Sequence, residues 1–278
     1  MDVVTSLTSY KDLVKRTKER AGKVISNCVL MGSSMDHYIT EGRLFYQSFP
    51  EGMVFYADEG SYYELYYYWE PGAPMADFRA DKKISIVEIM ASGKQEEQAK
   101  LMEPTILAAG FTLLKTTLQL EANLNALDYS LEEELNRRLE MLASQGLSLR
   151  FCDEKLLPQV RKLWEEYLDP MDVPDDHLSD GENDSILCVI DQNDSVAAVK
   201  WWRYVKQVQE GRHTVTHPDY YRHGLGTTLL LAQFQHAREK GIFRNRTWVR
   251  DDNFQSLGMC QKAGLKLNGR VSKQYILQ

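Results

Sequence analysis

At 278 residues the chain is long for one compact domain and comfortable for two. Its 43% apolar and 26% charged residues are those of a folded globular protein and exclude a disordered chain. A formal charge of −7, with no dense Lys/Arg cluster, argues against nucleic acid as a partner, because nothing would displace phosphate counterions.

Cys28, Cys152, Cys188 and Cys260 are scattered without a C-x-x-C pair, so neither a metal site nor a disulfide framework is expected. The N-terminal "MDVVTSLTSYKDLVKR" has acidic and polar residues where a signal peptide needs an apolar core. No apolar run approaches membrane-spanning length either. A cytoplasmic protein with no membrane partner is the expectation.

The first half opens with a helix expected over 10–29. "GMVFYADEGSYYELYYYWEPG" then reads as a hairpin turning at Gly60 and Ser61. The seven tyrosines between Tyr46 and Tyr68 alternate onto both faces, which fits the aromatic preference for strands better than a ligand platform. "ISIVEIMAS" follows as a strand, "EEQAKLMEPTILAAGF" as a helix and "TLLKTTLQLEA" as a strand. In "YSLEEELNRRLEMLASQG", Ser130 and Glu133 have capping-box spacing, leucines recur at helical intervals and Gly146 ends the run. This reads as a linking helix over 129–146, between segments 1–128 and 147–278.

In the second half "LSLRF" is a strand and "EKLLPQVRKLWEEYL" a helix with Pro158 in its first turn. "SILCVID" and "SVAAVKWWRYV" are strands around Gln192, Asn193 and Asp194, and "GRHTVT" is a third. Trp201 and Trp202, adjacent on one strand, must face opposite sides. A glycine turn, a helix to about Lys240, the strand "RNRTWVR", a helix over 254–264 and the strand "VSKQYILQ" complete the chain. The fold class is α/β, a mixed α+β sheet with helices on its faces. Both halves close with strand, helix, glycine, strand, which implies an internal duplication.

The glycine turn, "HPDYYRHGLGTTLLLAQF", makes an anion site, since free N–H groups and the positive end of a helix converge where side chains are missing. It is no P-loop, because Gly226 is followed by Thr227 and Thr228 without a lysine. It is no dinucleotide fingerprint, because Leu229 stands where a third glycine belongs.

The ordered set "TVTHP", "YRHGLG" and "NFQSLGMCQKAGL" resembles the GNAT superfamily of N-acyltransferases over Leu147–Gln278. The resemblance implies a GNAT-like fold, tandem if the first half is a degenerate copy without the phosphate turn. It implies that Tyr221, Arg222, His223, Gly224, Leu225, Gly226 and Thr227 hold the pyrophosphate of acetyl-coenzyme A. Thr214, Val215 and Thr216 would pair with its pantetheine arm, and Asn253 would hold that arm. The implied reaction is acetyl transfer to a primary amine by direct attack; the alternative is a non-catalytic acyl-coenzyme A sensor or interaction module.

Three residues depart from the family pattern: Tyr221, Thr216 and Cys260 stand where Arg or Gln, Val and Tyr are usual. Cys260 either donates a proton to the leaving thiolate or packs, with Tyr275 or water as other donors. Glu210, four residues before Thr214, is the candidate general base; even spacing places both on one strand face unless Gly211 bulges. His213 and His217 compete with it. Finally, Tyr167–Leu187 carries seven acidic residues, Asp172, Asp175 and Asp176 among them, and no Lys or Arg. This charge favours a cationic small-molecule or peptide amine as acceptor, unless the segment is only a solvated loop.

Overall fold

The computed structural model describes residues 1–28, 33–75, 78, 80–90, 93–173 and 184–277. Backbone contacts divide the chain into unit 1, residues 1–117 with 269–278, and unit 2, residues 118–268.

Unit 1 begins with β1 (Asp2–Val3), α1 (Leu7–Ala21), β2 (Ile25–Ser26) and α2 (Ser33–Thr40). The helix expected to reach Val29 starts at a Ser6–Ser9 capping box and ends at Gly22, where φ is 70°. A side chain at that φ is disfavoured, so glycine stops the helix there. Val29 lies outside the described residues. Strands β3 (Leu44–Phe49), β4 (Gly52–Asp58), β5 (Tyr62–Trp69) and β6 (Lys83–Met90) follow, then α3 (Lys94–Ala108) and β7 (Thr112–Asn123), which runs into unit 2. The expected hairpin is β4–β5, with Gly60 at φ 80° in its turn. Its aromatics split between two cores: Tyr56, Tyr63 and Tyr67 pack with Met102 and Ile106 of α3, and Phe55 and Tyr66 pack with Tyr10 of α1.

Unit 2 contains α4 (Leu131–Ser144), β8 (Ser148–Phe151), α5 (Leu157–Tyr167), β9 (Asp184–Ile190), β10 (Val196–Val205) and β11 (Val208–Thr216). It continues with α6 (Leu225–Glu239), β12 (Arg244–Arg250) and α7 (Phe254–Lys262); β13 (Lys266–Leu277) starts here and ends in unit 1. Its strands lie in the order β8-β9-β10-β11-β12-β7. On one face α4, α6 and α7 bury Leu131, Leu142, Leu229, Phe234 and Trp202; on the other α5 buries Trp164 against Val199, Trp201 and Val215. Each such side chain contributes about 1.5–3 kcal/mol when fully withdrawn from water.

Two expectations about domain limits differ from this division. The helix expected to link two domains is α4, and it is part of the unit 2 core because Leu131, Leu135 and Leu142 form one buried stripe. The last strand, expected to close the second domain, pairs Val271–Leu277 with Ile84–Met90 of β6 and so completes unit 1.

Each unit repeats one plan. In unit 2, β9/β10 and β10/β11 are antiparallel and β11/β12 parallel. In unit 1, β3/β4 and β4/β5 are antiparallel and β5/β6 parallel. In both, the parallel pair is short. β11 and β12 are in register only from Val208↔Arg244 to Gly211↔Thr247, and β5 and β6 only from Tyr62↔Lys83 to Glu64↔Ser85. Beyond those points the strands part.

The two gaps differ in what fills them. In unit 1, β2 pairs Ile25↔Trp69 and Ser26↔Tyr68 along β5, and Asn27 spans the opening. Its Nδ2 donates to Leu65 O (3.1 Å) and Val87 O (3.4 Å), and its Oδ1 accepts from Tyr67 N (2.8 Å). No helix is described between β5 and β6, whereas unit 2 places the glycine turn and α6 between the equivalent strands.

Candidate active site

The glycine turn leaves β11 through Thr216, passes a short 3-10 turn at Pro218–Tyr220 and enters α6 at Gly224. Gly224 is left-handed (φ 76°), and Arg222 before it is also at positive φ (68°). Among the described residues, the amides of Arg222, Gly224, Leu225, Gly226 and Thr227 have no acceptor within the protein. Five donors at the positive end of the 15-residue helix α6 suit a phosphate group. The lack of side chains serves packing as well as approach: a Cβ on Gly224 would meet Met141 Cε at 3.2 Å, and one on Gly226 would meet Met259 Sδ at 3.0 Å. His223 is fixed by its Nδ1, 2.8 Å from Gln145 Oε1, while Tyr221 and Arg222 are exposed.

The cleft between β11 and β12 opens from Arg212 towards Thr216. At its closed end Thr247 Oγ1 donates to Gly211 O (3.1 Å), and both side-chain amide atoms of the fully buried Gln233 lack partners among the described residues. Gln233 Nε2 lies 3.3 Å from where a Gly211 Cβ would stand. Unpaired buried amides cost free energy unless a polar ligand or water meets them, so this floor fits a polar arm such as pantetheine.

Lys200 projects beside this cleft. It is 3% exposed, stands opposite Thr214 in register, and its Nζ donates to Thr214 Oγ1 at 2.9 Å. Burial pulls its ammonium down to about 8, with Cys260 opposing. Burial likewise pushes the Cys260 thiol up, with Lys200 opposing. Sequence reasoning passed over Lys200, although a lone lysine inside "VAAVKWW" was the available signal.

The opposite face carries a row of charges. Asp184, Arg203, Glu210 and Arg246 are cross-strand neighbours on β9, β10, β11 and β12. Arg246 Nε donates to Glu210 Oε1 (2.7 Å), Arg212 lies 3.3 Å from Glu210 Oε2, and Arg203 Nε lies 3.4 Å from Asp184. Trp201 stands among them, with Arg203, Arg212 and His213 against its ring and its Nε1 donating to Asp184 (3.0 Å).

The expectation that Glu210 and Thr214 share a face is overturned. Lys200 pairs with Thr214 but Trp202 with Gly211, so two β11 residues, Arg212 and His213, oppose Trp201 alone. This bulge reverses the alternation: Gln209 and Thr214 face α6, and Glu210 faces the α5 side. The other candidates are dispersed. Val215 is buried against α5, and Thr216 is in register with Ala198. Asn253 caps α7, its Oδ1 accepting from Ser256 N at 3.0 Å. His217 Nδ1 accepts from Asp219 N (3.3 Å). Tyr275 belongs to unit 1, where its hydroxyl donates to Glu103 Oε1 at 2.8 Å. Of the acidic segment, Asp172 is described and Asp175 and Asp176 lie outside the described residues. Among the described residues, no three His, Cys, Asp or Glu side chains are grouped to hold a metal ion, and no helix is long and apolar enough to cross a membrane.

A mixed sheet whose parallel strands β11 and β12 part beside a glycine turn and a helix start is a GNAT-like fold. Residues 150–265 match the Acetyltransferase (GNAT) family, and the chain therefore carries a GNAT acetyltransferase domain. A tandem GNAT protein from the clavulanic acid biosynthesis pathway shares the fold at 13% identity and TM-score 0.54, over 84% of this chain and 83% of that one. A GNAT-family acetyltransferase from Colwellia psychrerythraea matches at 11% identity and 0.54, over 100% and 99%. A GCN5-related N-acetyltransferase from Sphaerobacter thermophilus matches at 12% identity and 0.52, over 96% and 90%. No curated protein matches the chain in sequence.

Proposed function

We propose that unit 2 transfers an acetyl group from acetyl-coenzyme A to a primary amine by direct attack. The observation that carries this reading is the parting of β11 and β12 after Gly211 beside five acceptor-less amides at the start of α6. The turn from Tyr221 to Thr227 would hold the pyrophosphate. The unpaired edge at Thr214, Val215 and Thr216 would pair with the pantetheine amides, and Asn253 would border that arm. The bound donor supplies an acyl carbon open to attack and a thiolate that must be protonated.

Lys200 is placed to supply that proton, its ammonium being held near the pKa of a thiol and beside the strand expected to carry the arm. Cys260, kept a thiol by burial, leaves the lysine without a counter-charge there. Glu210, on the α5 face, is assigned the proton lost by the amine. Unit 1 we read as a diverged copy that takes no cofactor, supported by the shared strand plan, the missing turn helix and the Asn27 bridge.

Calorimetry with coenzyme A, followed by a thiol-release screen of amines against acetyl-coenzyme A, tests the reading. Binding without turnover on any amine would favour the sensor alternative; absence of binding would remove both.

A further inference from the structure

Around the bulge of β11, the face turned towards α5 holds more positive charge than its own carboxylates neutralise. Arg203, Arg212 and Arg246 converge there against Glu210 and Asp184. The nearby Arg244 and Glu121 pair with each other. Arg246 is fully engaged by Glu210, through two nitrogens on one oxygen. The other two are not: among the described residues, Arg203 Nε and Arg212 Nε are buried without an acceptor, and the Arg203–Asp184 approach of 3.4 Å misses hydrogen-bond geometry.

Burying a guanidinium N–H unpaired is costly, and crowding three guanidiniums adds repulsion. The arrangement is nonetheless built. Trp201 supports both arginines through its ring, at 5.6 Å from Arg203 Cζ and 5.9 Å from Arg212 Cζ. The side chains of Arg203 and Arg212 remain 38% and 35% exposed, so part of each guanidinium is open to a ligand although its Nε is buried. A rigid fork with free donors matches a carboxylate or a phosphate.

We infer that the acceptor amine also carries an anionic oxyacid group, a carboxylate or phosphate, which docks on Arg212 and Arg203. The inference rests on the acetyl-transfer reading of unit 2 and names its substrate class. It is opposite to the cationic acceptor expected from the acidic segment, four of whose seven acidic residues lie outside the described residues. Two consequences suit the chemistry. A net positive surface disfavours the ammonium form of the incoming amine and so favours the neutral nucleophile. An oxyanion on Arg212 also competes with Glu210 Oε2, loosening the carboxylate assigned to accept the proton.

The test compares each amino acid with the amine left by its decarboxylation, alongside an aminoalkyl phosphate and a polyamine, using acetyl-coenzyme A. The anionic acceptors should have kcat/KM roughly 10- to 100-fold above their uncharged counterparts, the range of a charged hydrogen bond. Amino acids against the aminoalkyl phosphate separate the two anions. Arg212→Gln should erase that ratio by raising KM for the anionic acceptors while leaving coenzyme A affinity and the melting temperature near their starting values. Arg203→Gln is the second variant should Arg212→Gln fail to fold. A polyamine preferred over every anionic amine, or a ratio untouched by either variant, overturns the inference. If no amine turns over although coenzyme A binds, the transfer reading fails separately. Calorimetric binding of the anionic amines in the presence of coenzyme A then decides: Arg212-dependent binding supports the subsite and absence of binding overturns it.

Discussion

Lys200 and Thr214 face each other in register across β10 and β11, with Nζ 2.9 Å from Oγ1. The lysine's pKa falls from 10.5 to about 8 in the fold, so between those values the unfolded chain binds more protons and stability rises with pH. Below about 8 the charged lysine costs up to roughly 3 kcal/mol. Lys200→Met should therefore raise stability at pH 7 by about 1–3 kcal/mol while lowering kcat and removing the fall in rate above about pH 8. Denaturant melts and pH–rate profiles check both halves. A more stable variant with an unchanged basic limb would reduce Lys200 to a structural residue.

Gly224→Val should abolish coenzyme A binding and cost about 2 kcal/mol, because a branched side chain at φ 76° is strained and meets Met141 and Arg138. Gly226→Ala meets the Met259 thioether closely and Thr214 only at ordinary contact distance, and the Met259 side chain can shift, so about 1 kcal/mol and weakened but measurable binding are expected. Calorimetry and thermal melts of the two variants decide. Equal affinity in Gly224→Val would place the pyrophosphate elsewhere.

Glu210→Gln should lower kcat by roughly 10²–10⁴ and remove the acidic limb of the profile, since the carboxylate is assigned the amine's proton. Arg246 and Arg212 hold the carboxylate in place between them. A profile that keeps its acidic limb would pass the role to His213 or to water.

Much of this site was legible in the chain, because glycine turns and strand alternation are local. The glycine turn, the helix behind it and the opposed tryptophans follow from spacing alone. Glu210 does not. The bulge that turns it to the other face arises where β11 must meet both β10 and β12, a tertiary demand that no count along the strand contains. The same holds for Val271–Leu277, which reads as the close of the second half and pairs within the first. Lys200 is not legible as a site residue because its burial and its contact with Thr214 arise only in the fold.

Burial pushes the Glu88 carboxyl up to about 7, the Tyr67 hydroxyl that donates to it at 2.6 Å partly opposing. The fold then holds the proton more tightly than the unfolded chain, so stability falls as pH rises from about 4.5 to about 7. Glu88→Gln should gain up to roughly 3 kcal/mol at pH 8 and little at pH 4.5. Urea melts at the two pH values would show the difference; equal gains at both would mean that charge is not the cause.

Asn27→Ala should destabilise unit 1 by about 2–3 kcal/mol, leaving Leu65 O, Val87 O and Tyr67 N without their partner. Coenzyme A should titrate at one equivalent per chain before and after the change. A tethered segment meets its own gap at an effective concentration on the order of millimolar, without the entropy of bringing two molecules together. If unit 1 is a diverged copy, residues 25–27 would act as a covalently held competitor that is never diluted. A free acyl donor at micromolar levels would have to bind this gap roughly 10³-fold more tightly than residues 25–27 do to displace them, so severing or lengthening the tether would reopen it more readily than improving the ligand.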